Sequence, residues 1–120
     1  MNLMFQPQFE PLIVSGRKYH TIRPKRKVPL RPGQPLSLRV WTGKPYRSPQ
    51  REFHAANVQK VVPIRIESNR VILDGKELTV PEIKELAWHD GFADAFAARD
   101  WFQNTHGLPF EGEIIYWRYI

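Results

Sequence analysis

The segment Gly16-Arg17-Lys18-Tyr19-His20-Thr21-Ile22-Arg23 places a lysine, a hydroxyl and an arginine within six residues, from Lys18 to Arg23. A threonine hydroxyl is a poor nucleophile until a base takes its proton. A lysine serves as that base only when neutral near pH 7, and desolvation and nearby positive charge push it that way. Arg17, Arg23, Lys25 and Arg26 supply positive charge close in sequence. An arginine or a backbone N–H steadies a tetrahedral oxyanion. Such a set suits a site that holds an anionic or amide-bearing ligand.

The elements around this segment follow from spacing. Met1 to Phe5 reads as a short strand. Phe9, Leu12 and Ile13 have helical spacing with Gly16 as the stop, which predicts a helix over Gln8 to Ser15. Tyr19 to Arg23 reads as a strand stopped by Pro24, and the proline-rich, basic stretch Pro24 to Pro35 as a loop. Leu36 to Trp41 alternates as a strand. Thr42 to Arg51 reads as a mobile polar loop, and Phe53 to Ile66 as a long β-stretch broken or bent at Pro63. Asp74-Gly75 predicts a hairpin turn within Asn69 to Leu78. Thr79-Val80-Pro81-Glu82 is a capping box that opens a helix to about His89. A second helix is expected over Ala93 to Thr105, burying Phe92, Phe96 and Phe102, and Glu113 to Tyr119 closes the chain as a strand. Few strands are separated by helices, so the expected fold is α+β: one domain over residues 1–120, a small, mostly antiparallel barrel with helices at its ends.

The net charge of +6 is unevenly spread. From Pro11 to Arg51 there are eleven Lys or Arg residues and no acid, while the remaining seven basic residues share the chain with all twelve acids. That asymmetry favours a nucleic acid, nucleotide or nucleoside as ligand over a merely solubilising surface. The chain has no cysteine, no run long enough for a membrane helix and no signal-peptide pattern, so a cytoplasmic location and no membrane partner are expected. The glycines form neither G-x-G-x-x-G nor a Walker pattern, and the four histidines lack metal-ligand spacing, so no metal is expected.

In order along the chain, Phe9, the run Ser15 to Arg23, the turn Pro32-Gly33, Asp90-Gly91-Phe92 and the final Gly112-Glu113-Ile114-Ile115-Tyr116-Trp117 resemble the ASCH domain family, a small barrel related to the PUA RNA-binding fold. The resemblance covers nearly the whole chain, and its glycine-arginine-lysine-x-x-threonine-x-arginine core is its specific part. Chains of this length in the family resemble N(4)-acetylcytidine amidohydrolase, which needs no cofactor and splits the acyl amide on the base. The resemblance implies Lys18 and Thr21 as catalytic residues. The family's glutamate falls on Asp90, one methylene shorter.

Two mechanisms fit. Lys18 deprotonates Thr21, which attacks the amide carbonyl, or Asp90 or Lys18 activates water while Thr21 orients the substrate. Arg23, Tyr19, Trp41 and Arg26 are the candidate substrate contacts. A PUA-like module that binds RNA without catalysis, and a single-strand ribonuclease, are the alternatives. Taken singly, the same residues have plainer roles: Lys18 as a solvated lysine, Thr21 as a strand residue, Asp90 as a cap for the helix near Ala93, and the aromatics as core. Geometry sets one condition. On a regular strand, residues 18 and 21 face opposite sides. For the two to share a pocket, Lys18 must lie in the turn before the strand, or a bulge must intervene.

Overall fold

The computed structural model describes residues 1–119. Strand β1 (Asn2–Met4) leads through a 3-10 turn (Pro7–Phe9) into helix α1 (Glu10–Val14). The single helix expected over Gln8 to Ser15 is thus two pieces. Each carries a proline at its start, where the missing N–H leaves no bond unmade. Gly16, at φ 88°, ends α1.

Strand β2 is His20–Pro24, one residue later than expected, because Pro24 still pairs with Gly112. β3 (Pro35–Trp41) buries Leu36, Leu38 and Val40, as its alternation predicts. The loop after it closes early. Thr42 Oγ1 donates to Pro49 O at 2.8 Å, and β4 (Gln50–Ile66) begins at Gln50. β4 runs unbroken through Pro63. The Pro63 carbonyl accepts from Asp74 N at 2.9 Å, so the side of Pro63 that lacks an N–H faces the β5–β6 turn and not the β7 ladder. β4 is irregular instead at Phe53, opposite Leu38/Arg39, and between Val58 and Lys60.

β5 (Val71–Leu73) and β6 (Lys76–Glu77) flank the Asp74-Gly75 turn, whose φ values of 52° and 80° are those of a hairpin turn with two positive φ angles. Helix α2 (Val80–Asp90) starts with both bonds of the Thr79/Glu82 capping box. Helix α3 (Ala95–Thr105) is capped by Asp94, whose Oδ1 accepts from Ala97 N at 2.8 Å. Asp90 therefore does not cap α3. β7 (Phe110–Tyr119) closes the sequence of elements.

β1 pairs in parallel with β3, and the other ladders are antiparallel: β3 with β4, β4 with β7, β7 with β2, and β4 with β5, which pairs β6. The seven-stranded sheet is mixed, mostly antiparallel and not closed into a barrel. Closure would need β1 to pair with β2. β1 is three residues long and pairs only β3, and the Arg23 side chain crosses the seam instead, Nη2 donating to Met4 O at 2.6 Å.

The apolar residues form two clusters. One gathers Leu3, Phe5, Phe9, Ile13, Leu38 and Trp117 with their neighbours, and the other Ile22, Ile64, Phe102 and Ile114 with theirs. Adjacent residues Ile115 and Ile114, both fully buried, point from β7 into one cluster each. Phe96, expected in the core, is 68% exposed, at the rim of a surface pocket that Phe92 and Phe102 also line.

α2 stops at Gly91, with φ +105°, and a Cβ there would stand 2.8 Å from Phe9 Cδ1. Both constraints act together, so Gly91→Ala is expected to destabilise the fold by about 1–3 kcal/mol. Thermal unfolding would read this as a drop of roughly 4–8 °C per kcal/mol. An unchanged midpoint would mean that the α2–α1 contact relaxes freely.

Candidate active site

Lys18, His20, Thr21, Asp90 and Glu113 are the buried polar and charged residues among those described, with Arg23 partly buried beside them. Lys18 lies between Gly16 and β2, in irregular backbone tied by its N–H to Leu12 O at 2.9 Å. It is not part of a straight strand with Thr21, and both side chains line one cavity of about 470 Å³. Arg23, Asp90, Phe5, Phe9 and Trp101 also line it. The cavity sits at the seam between β1 and β2 that the sheet leaves unpaired.

Asp90 is 72 residues from Lys18, and α2 delivers it as its last residue. The end of α2 is held to the opening segment by three side chains. Arg17 Nε donates to Trp88 O at 3.0 Å and its Nη2 to Phe92 O at 2.8 Å, with the guanidinium stacked 3.3 Å from the centre of the Trp88 ring. His89 Nδ1 contacts Arg17 O at 3.0 Å. Lys18 Nζ donates to both Asp90 O at 2.7 Å and Asp90 Oδ1 at 2.8 Å. The carbonyls left open at a helix C-terminus are good partners for such cations.

Asp90 Oδ1 also meets His20 Nδ1 at 3.2 Å. Among the described residues no protein group hydrogen-bonds Asp90 Oδ2. Thr21 and Arg23 share a face of β2. Arg23 Nε donates to Thr21 Oγ1 at 3.1 Å, which leaves the hydroxyl proton free to donate elsewhere. Among the described residues no hydrogen bond joins Lys18 to Thr21.

Burial pushes the Lys18 ammonium below its ordinary 10.5; Asp90 opposes that shift, and Arg23 adds to it. Burial likewise holds His20 below 6.5 against the pull of Asp90. For His20 the unfolded chain takes up a proton before the folded one, so its contribution to stability is lost as pH falls through the window below 6.5. Lys18 and Asp90 form a buried ion pair whose ammonium holds its proton less tightly than a free lysine does.

Of the expected substrate contacts, the structure brings only Arg23 to this cavity. Tyr19 lies in a different pocket with His89 and Tyr116, because it precedes β2 on the side away from Thr21. Trp41, at the far end of β3, packs on Tyr46 with ring centres 5.1 Å apart. Arg26 lines a separate surface pocket with Lys25 and Lys27. Tyr46, 90% exposed, does line the cavity. His20 and Arg17 were not legible as site residues. The one available signal for His20 is its parity with the buried Ile22, since a polar group on a buried face needs a partner.

Among the described residues no helix is long and apolar enough to cross a membrane, and no group of three or more His, Asp or Glu is placed to hold a metal ion. No protein-family model, curated protein or solved structure matches the chain.

Proposed function

We propose that this protein is an amidohydrolase of the ASCH, PUA-like type that removes the acyl group from N(4)-acylated cytidine or a similar acylated cytosine. The observation that carries this reading is the buried Lys18–Asp90 pair in one cavity with Thr21 and Arg23. The order of the elements and the placement of Lys18 before β2 support it further.

Because Thr21 is bonded to Arg23 and not to Lys18, attack by water is favoured over attack by Thr21. Asp90 takes a proton from water as the oxygen bonds to the acyl carbon. Thr21 Oγ–H and the Arg23 guanidinium steady the oxyanion. The C–N bond then breaks, and Lys18 gives its proton to the leaving N4, which departs as the free amine. The acid leaves as a carboxylate, releasing its proton. Asp90 Oδ2 passes its proton to water in the cavity, Lys18 takes one up from water, and the ion pair between Lys18 and Oδ1 is restored. The aromatic lining from Phe5, Phe9 and Trp101 offers a planar base apolar faces.

Incubation with N(4)-acetylcytidine, followed by the absorbance change as amide becomes amine, tests the reading. Thr21→Val keeps the shape and removes the hydroxyl, and is expected to lower kcat/KM by about a hundredfold. Unchanged turnover would take Thr21 out of the chemistry.

The basic loop Lys25-Arg26-Lys27, which lines its own pocket next to Pro24, favours a second reading as an RNA-binding module. Inert wild type that binds RNA with a steep loss on adding salt would favour that reading.

A further inference from the structure

His20 is almost fully buried at 1% exposure, and its ring stands between Asp90 and a second pocket. Its Nδ1 is 3.2 Å from Asp90 Oδ1, at the edge of the catalytic cavity. The ring also lines a second pocket of about 180 Å³ on the opposite face of β2, with Tyr19, Glu82, Glu85, His89 and Tyr116. Tyr19 and Tyr116 pack against it edge-on, with ring centres 5.1 and 5.3 Å away. Among the described residues no protein group hydrogen-bonds its Nε2.

A carboxylate only accepts hydrogen bonds, so the contact with Asp90 needs the proton on Nδ1. Nε2 is then a bare acceptor, and the second pocket is the side from which it meets solvent. Lys18 and His20 both hold Oδ1, which leaves Oδ2 as the oxygen available to a water in the cavity.

We infer that His20 is the positioning residue of this site: its Nδ1–H orients the Asp90 carboxylate, and protonation of its Nε2 from the second pocket weakens Asp90 as a base. This rests on the amidohydrolase reading for its kinetic consequence, but not for its geometry. Protonation makes the ring a cation beside Asp90, which then holds a proton less readily. The charged and titratable groups that face the ring are Lys18 and Asp90 on one side, and Tyr19, Glu82, Glu85, His89 and Tyr116 on the other, with Lys60 Nζ 4.7 Å above the Tyr116 ring. Burial keeps the ring neutral until the pH is below 6.5.

Two variants and one spectrum test this. His20→Asn carries an N–H that can replace Nδ1–H but cannot titrate, whereas His20→Leu has no donor. At pH 8, His20→Asn is expected to keep kcat within about threefold, and His20→Leu to lose about tenfold to a hundredfold. The wild-type profile is expected to fall on an acid limb below pH 6.5, and in His20→Asn that limb is expected to move to lower pH, leaving only protonation of the base itself. Full turnover in His20→Leu, or an unshifted limb in His20→Asn, would overturn the inference. Nitrogen-15 chemical shifts of the His20 ring read the tautomer directly, whatever the substrate. An Nδ1–H tautomer that loses its preference in Asp90→Ala, which has no acceptor, supports the positioning role even if wild type proves inert on acylated cytidine, in which case only the amidohydrolase reading falls. An Nε2–H tautomer in wild type overturns it.

Discussion

Asp90→Asn is expected to lower kcat/KM for N(4)-acetylcytidine by about a thousandfold, within the range that general-base removal produces. Asparagine keeps the shape of the side chain and an oxygen to accept from Lys18 and His20, and the backbone carbonyl of residue 90 still accepts from Lys18. What it removes is the basic oxygen, so the loss reports on chemistry more than on shape. Lys18, already pushed down by burial, sheds its proton more easily once the opposing charge is gone. The variant therefore loses both the acceptor for water's proton and the donor for the leaving amine, and its effect should exceed that of Thr21→Val. Asp90→Glu, which keeps the charge and lengthens the reach by one methylene, should retain more activity than the asparagine variant. A loss of less than tenfold in Asp90→Asn would show that the carboxylate is structural and that the base lies elsewhere.

The parts of this fold that were legible are those whose cause is local. The capping box at Thr79, the paired positive φ angles at Asp74-Gly75 and the alternation in β3 each depend on residues within a few positions of one another. That Lys18, Thr21 and Arg23 line one cavity follows from the turn before β2, one of the two arrangements, turn or bulge, that the strand parity required for Lys18 and Thr21 to share a pocket. The rest depends on where distant elements meet. Nothing near His20 indicates that the last residue of α2 arrives beside it. Tyr19, Trp41 and Arg26 were chosen for chemical type; Tyr19 and Arg26 line other pockets, and Trp41 packs behind Tyr46 without lining the cavity itself. The expected barrel missed closure because a three-residue β1 cannot cover β2, and a single guanidinium spans the gap. That unpaired seam is also what leaves room for the cavity. The departure from the expected architecture and the location of the site therefore have one cause.

Lys18→Met is expected to destabilise the protein by about 3–5 kcal/mol, the usual result of removing one partner from a buried ion pair. Methionine fits the space beside Phe9, whose ring centre lies 5.1 Å from Nζ, so little volume is lost and cavity formation adds little. The loss then comes from Asp90, which keeps a buried charge with His20 as its remaining hydrogen-bond partner and Arg23 as the nearby cation. Pairing the change with Asp90→Asn removes that charge, and the double variant should recover most of the stability, since a neutral pair avoids the desolvation of two ions. Turnover should not recover, because neither proton donor nor acceptor remains. Denaturant unfolding measures the stability arm, with an unchanged slope required for the comparison to hold. The double-mutant cycle isolates the coupling of the two side chains. If Lys18→Met alone is as stable as wild type, Asp90 is not a desolvated charge, and the buried ion pair on which the chemistry depends does not exist. If the double variant regains stability and remains inactive, the ion pair is held at a cost to the fold for the sake of the reaction.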